Sequence, residues 1–134
     1  RAGVPAPAAL QALLAADEER EVRQVAMLDS AGRAAVHTGA RCVADAGHVL
    51  GEGFSAQANM MASPAVWPAM AEAYRNTAGD LAERLMAALE AAQAEGGDLR
   101  GQQSACLFIV DGERQDQPWQ GVRVNFEWMI TLNR

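Results

Sequence analysis

Polar side chains that could bind a ligand crowd into one glycine-flanked stretch, residues 96–105, with the sequence GGDLRGQQSA. The polar residues of this stretch are Asp98, Arg100, Gln102, Gln103 and Ser104. Arg100 is suited to bind a carboxylate or phosphate, because its planar guanidinium donates parallel hydrogen bonds to such anions. In the alternative interpretation, Asp98 caps the turn after a helix and pairs with Arg100, which would fix the loop. The stretch is not a P-loop, since its glycines follow a helix and no lysine is present.

A second group of candidates lies on predicted strands. His37 ends one strand, and Gln57 and Asn59 alternate along another, so both amides are expected on one face of it. A histidine near amide side chains could bind a ligand or act as a general base. The alternative is that His37 is a hydrogen-bonded member of the sheet. His48, in a glycine-rich segment, is expected to have a surface role.

These motifs together predict one site. They carry nearly all the polar side chains outside the charged helix faces, so we expect them to line a single concavity at the strand ends. The expected lining residues are His37, Asn59, Asp98, Arg100, Gln103 and Ser104. The candidate catalytic residues are His37, Ser104 and Asp98, and the candidate ligand-binding residues are Asn59, Arg100, Gln103 and Gln57.

The sequence predicts no cofactor and no zinc site, because the two histidines share no helix face and have no nearby carboxylate. A calcium site built from oxygens stays open, since Asp45, Glu52 and Asp98 lie in glycine-rich loops, although the EF-hand spacing is missing. Cys42 and Cys106 lie far apart and form no CxxC pair. This pattern favours buried free thiols over a disulfide framework or a zinc ribbon.

Charge and hydropathy narrow the partners and the location. The net charge of −6 argues against a nucleic-acid backbone or an anionic membrane as a partner, because both need clustered positive charge. No apolar run approaches the roughly 20 residues of a membrane span, and the first residues do not have the pattern of a signal peptide. We therefore expect a cytoplasmic protein, with a small-molecule ligand still open as a partner.

Periodicity predicts three helices, near residues 8–16, 65–76 and 81–95. Ser63 and Pro64 are suited to the N-cap and first position of the second helix, although Pro68 would bend this helix or delay its start. Asp80 with Glu83 three residues later has the pattern of a capping box in front of the third helix.

Five strands are predicted, over residues 22–28, 33–38, 53–59, 104–110 and 121–129. The turn sequence of residues 29–32, DSAG, joins the first two strands into a β-hairpin. The glycine-rich residues 39–53 are expected to form a loop, and the continuous apolar run of residues 104–110 a central strand. Helices and strands in this order predict an α+β fold.

Three stretches together resemble a bacterial family known as domain of unknown function 1028. They are residues 23–39 (RQVAMLDSAGRAAVHTG), 51–60 (GEGFSAQANM) and 96–105 (GGDLRGQQSA). The intervening helices fit the same pattern, so the resemblance covers residues 1 to about 112 of a single domain spanning 1–134. The segment 113–134 is not recognised.

This resemblance implies an Ntn-hydrolase-like fold, in which two stacked β-sheets lie between helical layers. It also implies that family members are longer at both ends, so we expect a truncated domain that lacks the family's N-terminal strands. An Ntn hydrolase uses a Thr, Ser or Cys at its mature N-terminus as the nucleophile and the free amine there as the base. Arg1 offers the amine without a nucleophile, so this mechanism would need another residue in this chain.

Two functions of different classes stay open from the sequence. The first is a hydrolase of amide, lactone or ester bonds, with unknown substrate, and it is implied by the resemblance alone. The second is a non-catalytic, self-associating module that keeps the fold without the N-terminal nucleophile. Whether the chain is an enzyme is therefore open at this stage.

We predict that the chain forms a homodimer. A stacked-sheet domain without its front strands has a sheet edge and an apolar face to cover, and a two-fold partner is a common solution. The predicted contact is the segment 121–130, with Phe126, Trp128 and Ile130 on one side. Size-exclusion chromatography with light scattering at micromolar concentration should give a dimer that Trp128→Asp disrupts, whereas a stable monomer near 14.2 kDa would refute the prediction.

Overall fold

The computed structural model of the chain describes residues 3–102, 104–107 and 109. Within them the elements are α1 (Ala6–Ala16), β1 (Gln24–Leu28), β2 (Ala34–Thr38), β3 (Gly47–Gly51), β4 (Phe54–Ala58), α2 (Val66–Asn76) and α3 (Leu81–Ala94), with a 3-10 turn over Arg20–Val22 before β1. The strands form two antiparallel pairs, β1 with β2 and β3 with β4. This mixture of helices and antiparallel sheets is the predicted α+β fold.

The first hairpin pairs β1 with β2 in the register Gln24↔Thr38 to Leu28↔Ala34, as the turn sequence predicts. One face of it carries the apolar contact with α1. Ala6 and Leu10 of α1 are buried against Ala35 of β2, and Leu14, Val25 and Met27 pack around them. The spacing of Ala6, Leu10 and Leu14 puts all three on one helix face. Burying a leucine side chain in this way contributes about 2 kcal/mol.

Asp29 ties the tip of this hairpin to the start of α1. Its Oδ2 accepts a hydrogen bond from the backbone N–H of Ala6 at 3.0 Å and from Nε of Arg33 at 2.8 Å. Its Oδ1 accepts from the backbone N–H groups of Ala31 at 2.9 Å and Arg33 at 3.1 Å. Led by the bond from Ala6, these contacts lower the pKa of Asp29 from 3.8 to about 2. One carboxylate thus shapes the turn and caps a helix whose preceding residue, Pro5, makes no side-chain cap.

The second hairpin corrects the prediction of a loop over residues 39–53. Residues 47–51 form β3, which pairs with β4 from Gly47↔Ala58 to Gly51↔Phe54. At both ends of β3, the missing side chain of a glycine leaves room for an aromatic ring. A Cβ at Gly47 would collide with the Trp67 indole, and a Cβ at Gly51 with the Phe54 ring. Here glycine marks close packing on a strand, which its composition alone does not distinguish from a loop.

The helices α2 and α3 begin where local capping allows. Ser63 does not cap α2 as predicted; its Oγ accepts from the backbone N–H of Ala65 at 3.1 Å, in the turn before the helix. Pro68 is the third residue of α2, a position at which the backbone N–H has no acceptor within the helix, so the missing N–H costs no helical hydrogen bond. Of the two expected effects of Pro68, the structure shows the delayed start of the helix. The predicted capping box of Asp80 and Glu83 in front of α3 is confirmed, with both reciprocal bonds present.

The elements stack in layers. The helix α1 covers one face of the first hairpin, the second hairpin contacts the first, and α2 covers the opposite face of the second hairpin. Phe54 of β4 packs against Tyr74 of α2 with ring centroids 4.5 Å apart. The guanidinium of Arg84 from α3 lies over the Tyr74 ring at 4.1 Å, which links the two helices.

The last two predicted strands have different outcomes. The described residues 104–107 and 109 do not lie in a strand, contrary to the prediction for residues 104–110. An apolar run forms a strand only where it pairs with a neighbouring strand, and neither described sheet includes this run. The predicted strand 121–129 lies outside the described residues. None of the described helices combines the length and apolarity needed to cross a membrane.

We predict that Asp29→Ala lowers the thermal stability at neutral pH and that the loss shrinks under acid. Because the folded pKa lies below the usual 3.8, the carboxylate stabilises the fold fully above pH 4, and this contribution is lost as the pH falls toward 2. Thermal unfolding followed by circular dichroism, from pH 7 down to about pH 2.5, measures the difference between variant and wild type.

Glu90→Ala, on an exposed position of α3, is the control and should leave the unfolding temperature nearly unchanged across this range. A destabilisation by Asp29→Ala that is equally large at pH 7 and pH 2.5 would contradict the charge-dependent account.

Candidate functional site

A cleft of about 380 Å³ opens where β4 ends and the chain turns toward α2. Its polar residues come from β1, from the end of β4, from α3 and from the segment after α3. They are Gln24, Gln57, Asn59, Gln93, Asp98, Gln102 and Ser104. Its apolar wall is formed by Met61, Val66, Met70, Leu89 and Ala92. A concave site with an apolar wall and a few convergent polar groups is the usual form of a small-molecule site.

The side chain of Gln24 joins the two hairpins beside the cleft. Its Nε2 donates to the backbone carbonyls of Gly47 at 3.2 Å and Ala58 at 2.9 Å, which are the first residue of β3 and the last of β4. The same nitrogen lies 3.1 Å from Thr38 Oγ1, and Gln24 Oε1 accepts from Asn59 Nδ2 at 2.7 Å. Gln24 is therefore fully engaged and held in one orientation.

A threonine and a histidine extend this network between the sheets. Thr38 Oγ1 lies 2.9 Å from His48 Nδ1 and also accepts from Gln24 Nε2. With that acceptor position occupied, the hydroxyl hydrogen of Thr38 is available to His48 Nδ1. His48 is half-buried in β3, so its expected surface role is wrong. The reason is that Gly47–Gly51 is a strand, which turns this side chain toward the first hairpin.

Gln57 contributes the least satisfied polar group of the cleft. It is the cross-strand partner of His48, and the residue is half-buried. Its Oε1 is shielded from solvent and has no hydrogen-bond partner among the described residues. Asn59, two residues further on, donates from Nδ2 to Gln24 Oε1 at 2.7 Å. The residues Gln57 and Asn59 therefore both line the part of the cleft beside Gln24.

Asp98 and Arg100 form an ion pair at the rim of the cleft. Arg100 donates to the Asp98 carboxylate from Nη2 at 2.6 Å, from Nε at 2.9 Å and from its backbone N–H at 2.8 Å. The side-chain bond from Arg100 is the main cause that lowers the pKa of Asp98 to about 2, and the carboxylate in turn raises the pKa of Arg100. The guanidinium is thus engaged by its own loop, which agrees with the interpretation that this pair fixes the loop.

A short backbone ladder holds Met61, one of the residues that line the cleft. Met61 exchanges backbone bonds with Asp45, and the backbone N–H of Leu99 donates to the carbonyl of Met60 at 2.9 Å. Met60 itself has a φ of 60°, a left-handed conformation that costs free energy for a side chain of this size. Asn59 and Met61, the residues before and after Met60, both line the cleft.

The cleft brings together only some of the predicted site residues. Gln57, Asn59, Asp98 and Ser104 line it. His37 does not: its Nε2 donates to the backbone carbonyl of Arg20 at 2.8 Å. It lies on the face of β2 that carries Ala35, the face covered by α1, because alternate residues of a strand point the same way. Arg100 is turned to Asp98 and is not among the lining residues, and Gln103 lies outside the described residues.

The described residues hold no group of three His, Cys, Asp or Glu side chains arranged to bind a metal ion. Of the three residues considered for calcium, Asp45 and Asp98 both flank Met61 in the backbone ladder. Glu52 instead occupies the turn between β3 and β4. The separation follows from the formation of β3, which carries Glu52 to the tip of a hairpin. Cys42 is half-buried, and its Sγ donates to the Arg23 carbonyl at 3.3 Å, whereas Cys106 is exposed.

Gln24 is the residue that sequence reasoning missed. It occupies an inward position of a strand that is otherwise mostly apolar, between Val22 and Ala26 in the alternation. A polar side chain at such a position needs buried hydrogen-bond partners, and this signal is visible in the sequence. Its partners are backbone carbonyls, which no sequence pattern marks.

Fold and cleft together define an α+β domain with stacked two-stranded sheets and a ligand-sized cleft at their end. The family described as "Family of unknown function (DUF1028)" matches residues 1–128. The chain therefore belongs to this family, as the three stretches predict. No curated protein matches the chain significantly.

A solved structure supports the fold. The crystal structure of a protein from Silicibacter pomeroyi, assigned to the same family, is similar with a TM-score of 0.74 and 30% sequence identity. The alignment covers 84% of this chain and 50% of that protein, so the chain spans about half of its relative's length.

We predict that Gln24→Leu destabilises the fold by about 2 kcal/mol or more, because it leaves the carbonyls of Gly47 and Ala58 without their donor. Gln57→Leu makes the same substitution at a half-buried glutamine whose Oε1 has no partner among the described residues, and it should be neutral or stabilising. Urea unfolding of both variants measures the difference. If Gln24→Leu is no less stable than Gln57→Leu, Gln24 does not hold the hairpins together.

Proposed function

We propose that the cleft binds a small uncharged ligand and that it is the ligand-binding part of a hydrolase of amide, lactone or ester bonds. The observation that carries the proposal is the arrangement of the cleft itself. Polar residues Gln57, Asn59 and Ser104 line it together with apolar side chains from α2 and α3. Such a site orients a compound by its polar end and excludes water from its apolar part.

The proposed chemistry uses the hydroxyl and amides of the cleft. Ser104 is the candidate nucleophile, since its hydroxyl is exposed at the cleft, and the amide of Asn59 would donate to the carbonyl oxygen of the bond to be cleaved. Asp98 contributes position rather than proton transfer. Its low pKa keeps it ionised at neutral pH, where it holds Arg100 and the loop that carries Ser104.

A non-catalytic module is the second candidate, favoured by one specific observation. The described part of the cleft contains no nucleophile hydrogen-bonded to a base. His37 is directed to the Arg20 carbonyl, and the Thr38–His48 pair is not among the residues that line the cleft. In this version the domain keeps the fold and associates with itself through a strand edge, since each described sheet has only two strands.

An activity panel separates these functions. We expect the chain to hydrolyse one or more members of a panel of amides, lactones and carboxylic esters, and Ser104→Ala to lower kcat/KM by about 100-fold or more. Phosphoesters serve as the negative class, and each assay is run with and without divalent metal.

Ser30→Ala, in the exposed turn of the first hairpin, is the matched control and should retain full activity. Turnover that Ser104→Ala leaves intact would remove Ser104 from the mechanism. A complete lack of turnover, with ligand binding preserved, would favour the non-catalytic module.

A further inference from the structure

Asn59 combines access to the cleft with a fixed position. It lines the cleft and is exposed, so a ligand can reach it. Ser104 is also exposed, but no described hydrogen bond holds its side chain. The amide of Gln24 is engaged by the second hairpin, and Asp98 is paired with Arg100. Asn59 is therefore a polar group that is held in place and is still open to a ligand.

The backbone of the second hairpin decides which way the Asn59 amide is turned. Carbonyl oxygens only accept hydrogen bonds, so the atom of Gln24 that lies 3.2 Å from the Gly47 oxygen and 2.9 Å from the Ala58 oxygen is the amide nitrogen. The oxygen of Gln24 then faces Asn59. Because this oxygen also only accepts, the Asn59 atom at 2.7 Å is Nδ2. The usual ambiguity between the two ends of an amide is thus removed for both side chains.

The backbone beside Asn59 is fixed as well. Met60 has a φ of 60°, its N–H donates to the Val43 carbonyl at 3.0 Å, and its carbonyl accepts from the N–H of Leu99 at 2.9 Å. A left-handed conformation costs free energy for such a side chain and persists only where the surrounding structure holds it. Conformations of this kind cluster at ligand sites, where they accompany pre-organised groups. Asn59 is thus held through both its side chain and its neighbour's backbone.

The bond to Gln24 leaves defined groups of Asn59 for a ligand. One Nδ2 hydrogen is committed, so the second hydrogen and Oδ1 remain. No described residue bonds to Oδ1. The second hydrogen suits the donation to a carbonyl oxygen that we propose above. The oxygen only accepts, so its partner in a ligand has to be a donor.

We infer that Asn59 is a specificity-determining residue whose Oδ1 accepts a hydrogen bond from an N–H beside the carbonyl of the ligand. A primary or secondary amide supplies the carbonyl and the N–H together, whereas an ester or lactone supplies acceptors alone. Gln24 is the positioning residue that sets which end of the Asn59 amide is presented. The inference rests on the proposed ligand site and narrows its three bond types to amides, but it does not require hydrolysis.

The test compares N-methylbutanamide with methyl butanoate, which differ only in an amide N–H against an ester oxygen. Each is titrated at millimolar concentrations into the 15N-labelled full chain, and the backbone amide shifts of the cleft residues Gly97 and Gly101 give the dissociation constants. The readout is the constant of the ester divided by that of the amide. Asn59→Ala should lower this ratio about fivefold or more, the value of one net hydrogen bond. The different hydration of the two probes cancels, because the ratio is compared between proteins.

Asn76→Ala, at the exposed last position of α2, is the matched control and should keep the wild-type ratio. The proton signals of the probes report in the same spectra whether either is hydrolysed. A ratio that Asn59→Ala leaves unchanged, or no binding of either probe, would overturn the inference. A ratio that falls as expected without turnover leaves it standing while the hydrolase proposal fails.

A second variant tests the fixed orientation by stability alone. Asn59→Asp brings only oxygens toward Gln24 Oε1 at neutral pH, and Gln24 cannot turn over without taking its nitrogen from the carbonyls of Gly47 and Ala58. Its urea midpoint should therefore lie at or below that of Asn59→Ala. A wild-type midpoint for Asn59→Asp would show that Gln24 does turn over, and the assignment of an acceptor to the cleft would fail.

Discussion

The structure depends on a single half-buried amide, that of Gln24, between two small sheets. A two-stranded hairpin alone is marginally stable, because it buries little and leaves its backbone edges to water. Here the amide nitrogen of Gln24 in β1 donates to a carbonyl of each strand of the other hairpin, Gly47 in β3 and Ala58 in β4. Because these carbonyls belong to paired residues of β3 and β4, one side chain fixes the position of both strands at once. The oxygen of the same amide accepts from Asn59 Nδ2. The side chain that joins the two sheets therefore also positions Asn59, which lines the cleft.

Close packing in the second hairpin is a separate constraint that serves the same end. The absence of a Cβ at Gly47 lets the Trp67 indole lie against β3, and this contact brings the start of α2 down onto the sheet. Further along, Phe54, Tyr74 and Arg84 stack in sequence and carry the contact on to α3. The packing of aromatic rings, including the contact of Trp67 with Gly47, therefore positions the apolar wall of the cleft. Hydrogen bonds position its polar residues. A change on one side does not automatically disturb the other.

Local chemistry made much of this fold predictable. The three helices, the first hairpin, the capping box at Asp80 and the α+β class follow from periodicity and turn residues, which act over a few positions. The strand β3 was not predictable, since its glycines are explained by the distant Trp67 and by Phe54 across the turn. For the candidate site, the motifs included Gln57, Asn59, Asp98 and Ser104, which line the cleft. His37 lies instead on the face of β2 that α1 covers, because side chains alternate between the two faces of a strand. The sequence does not reveal the role of Gln24, because its main hydrogen-bond partners are backbone carbonyls, which are present at every residue.

The ion pair of Asp98 and Arg100 shows why a polar motif need not be a charged site. An arginine in a glycine-flanked loop has the chemistry of an anion receptor, yet its Nε, Nη2 and backbone N–H all serve a carboxylate two residues away. The Arg100 side chain is exposed and the Asp98 side chain is partly buried, so the strength of the pair in water is modest. The pair closes a turn that the backbone bond from Gly101 to Asp98 also closes. Its effect on the cleft is thus to remove charge from the rim. In the ligand site that we propose, recognition would fall to neutral groups, whose hydrogen bonds discriminate by direction and donor count rather than by attraction at a distance.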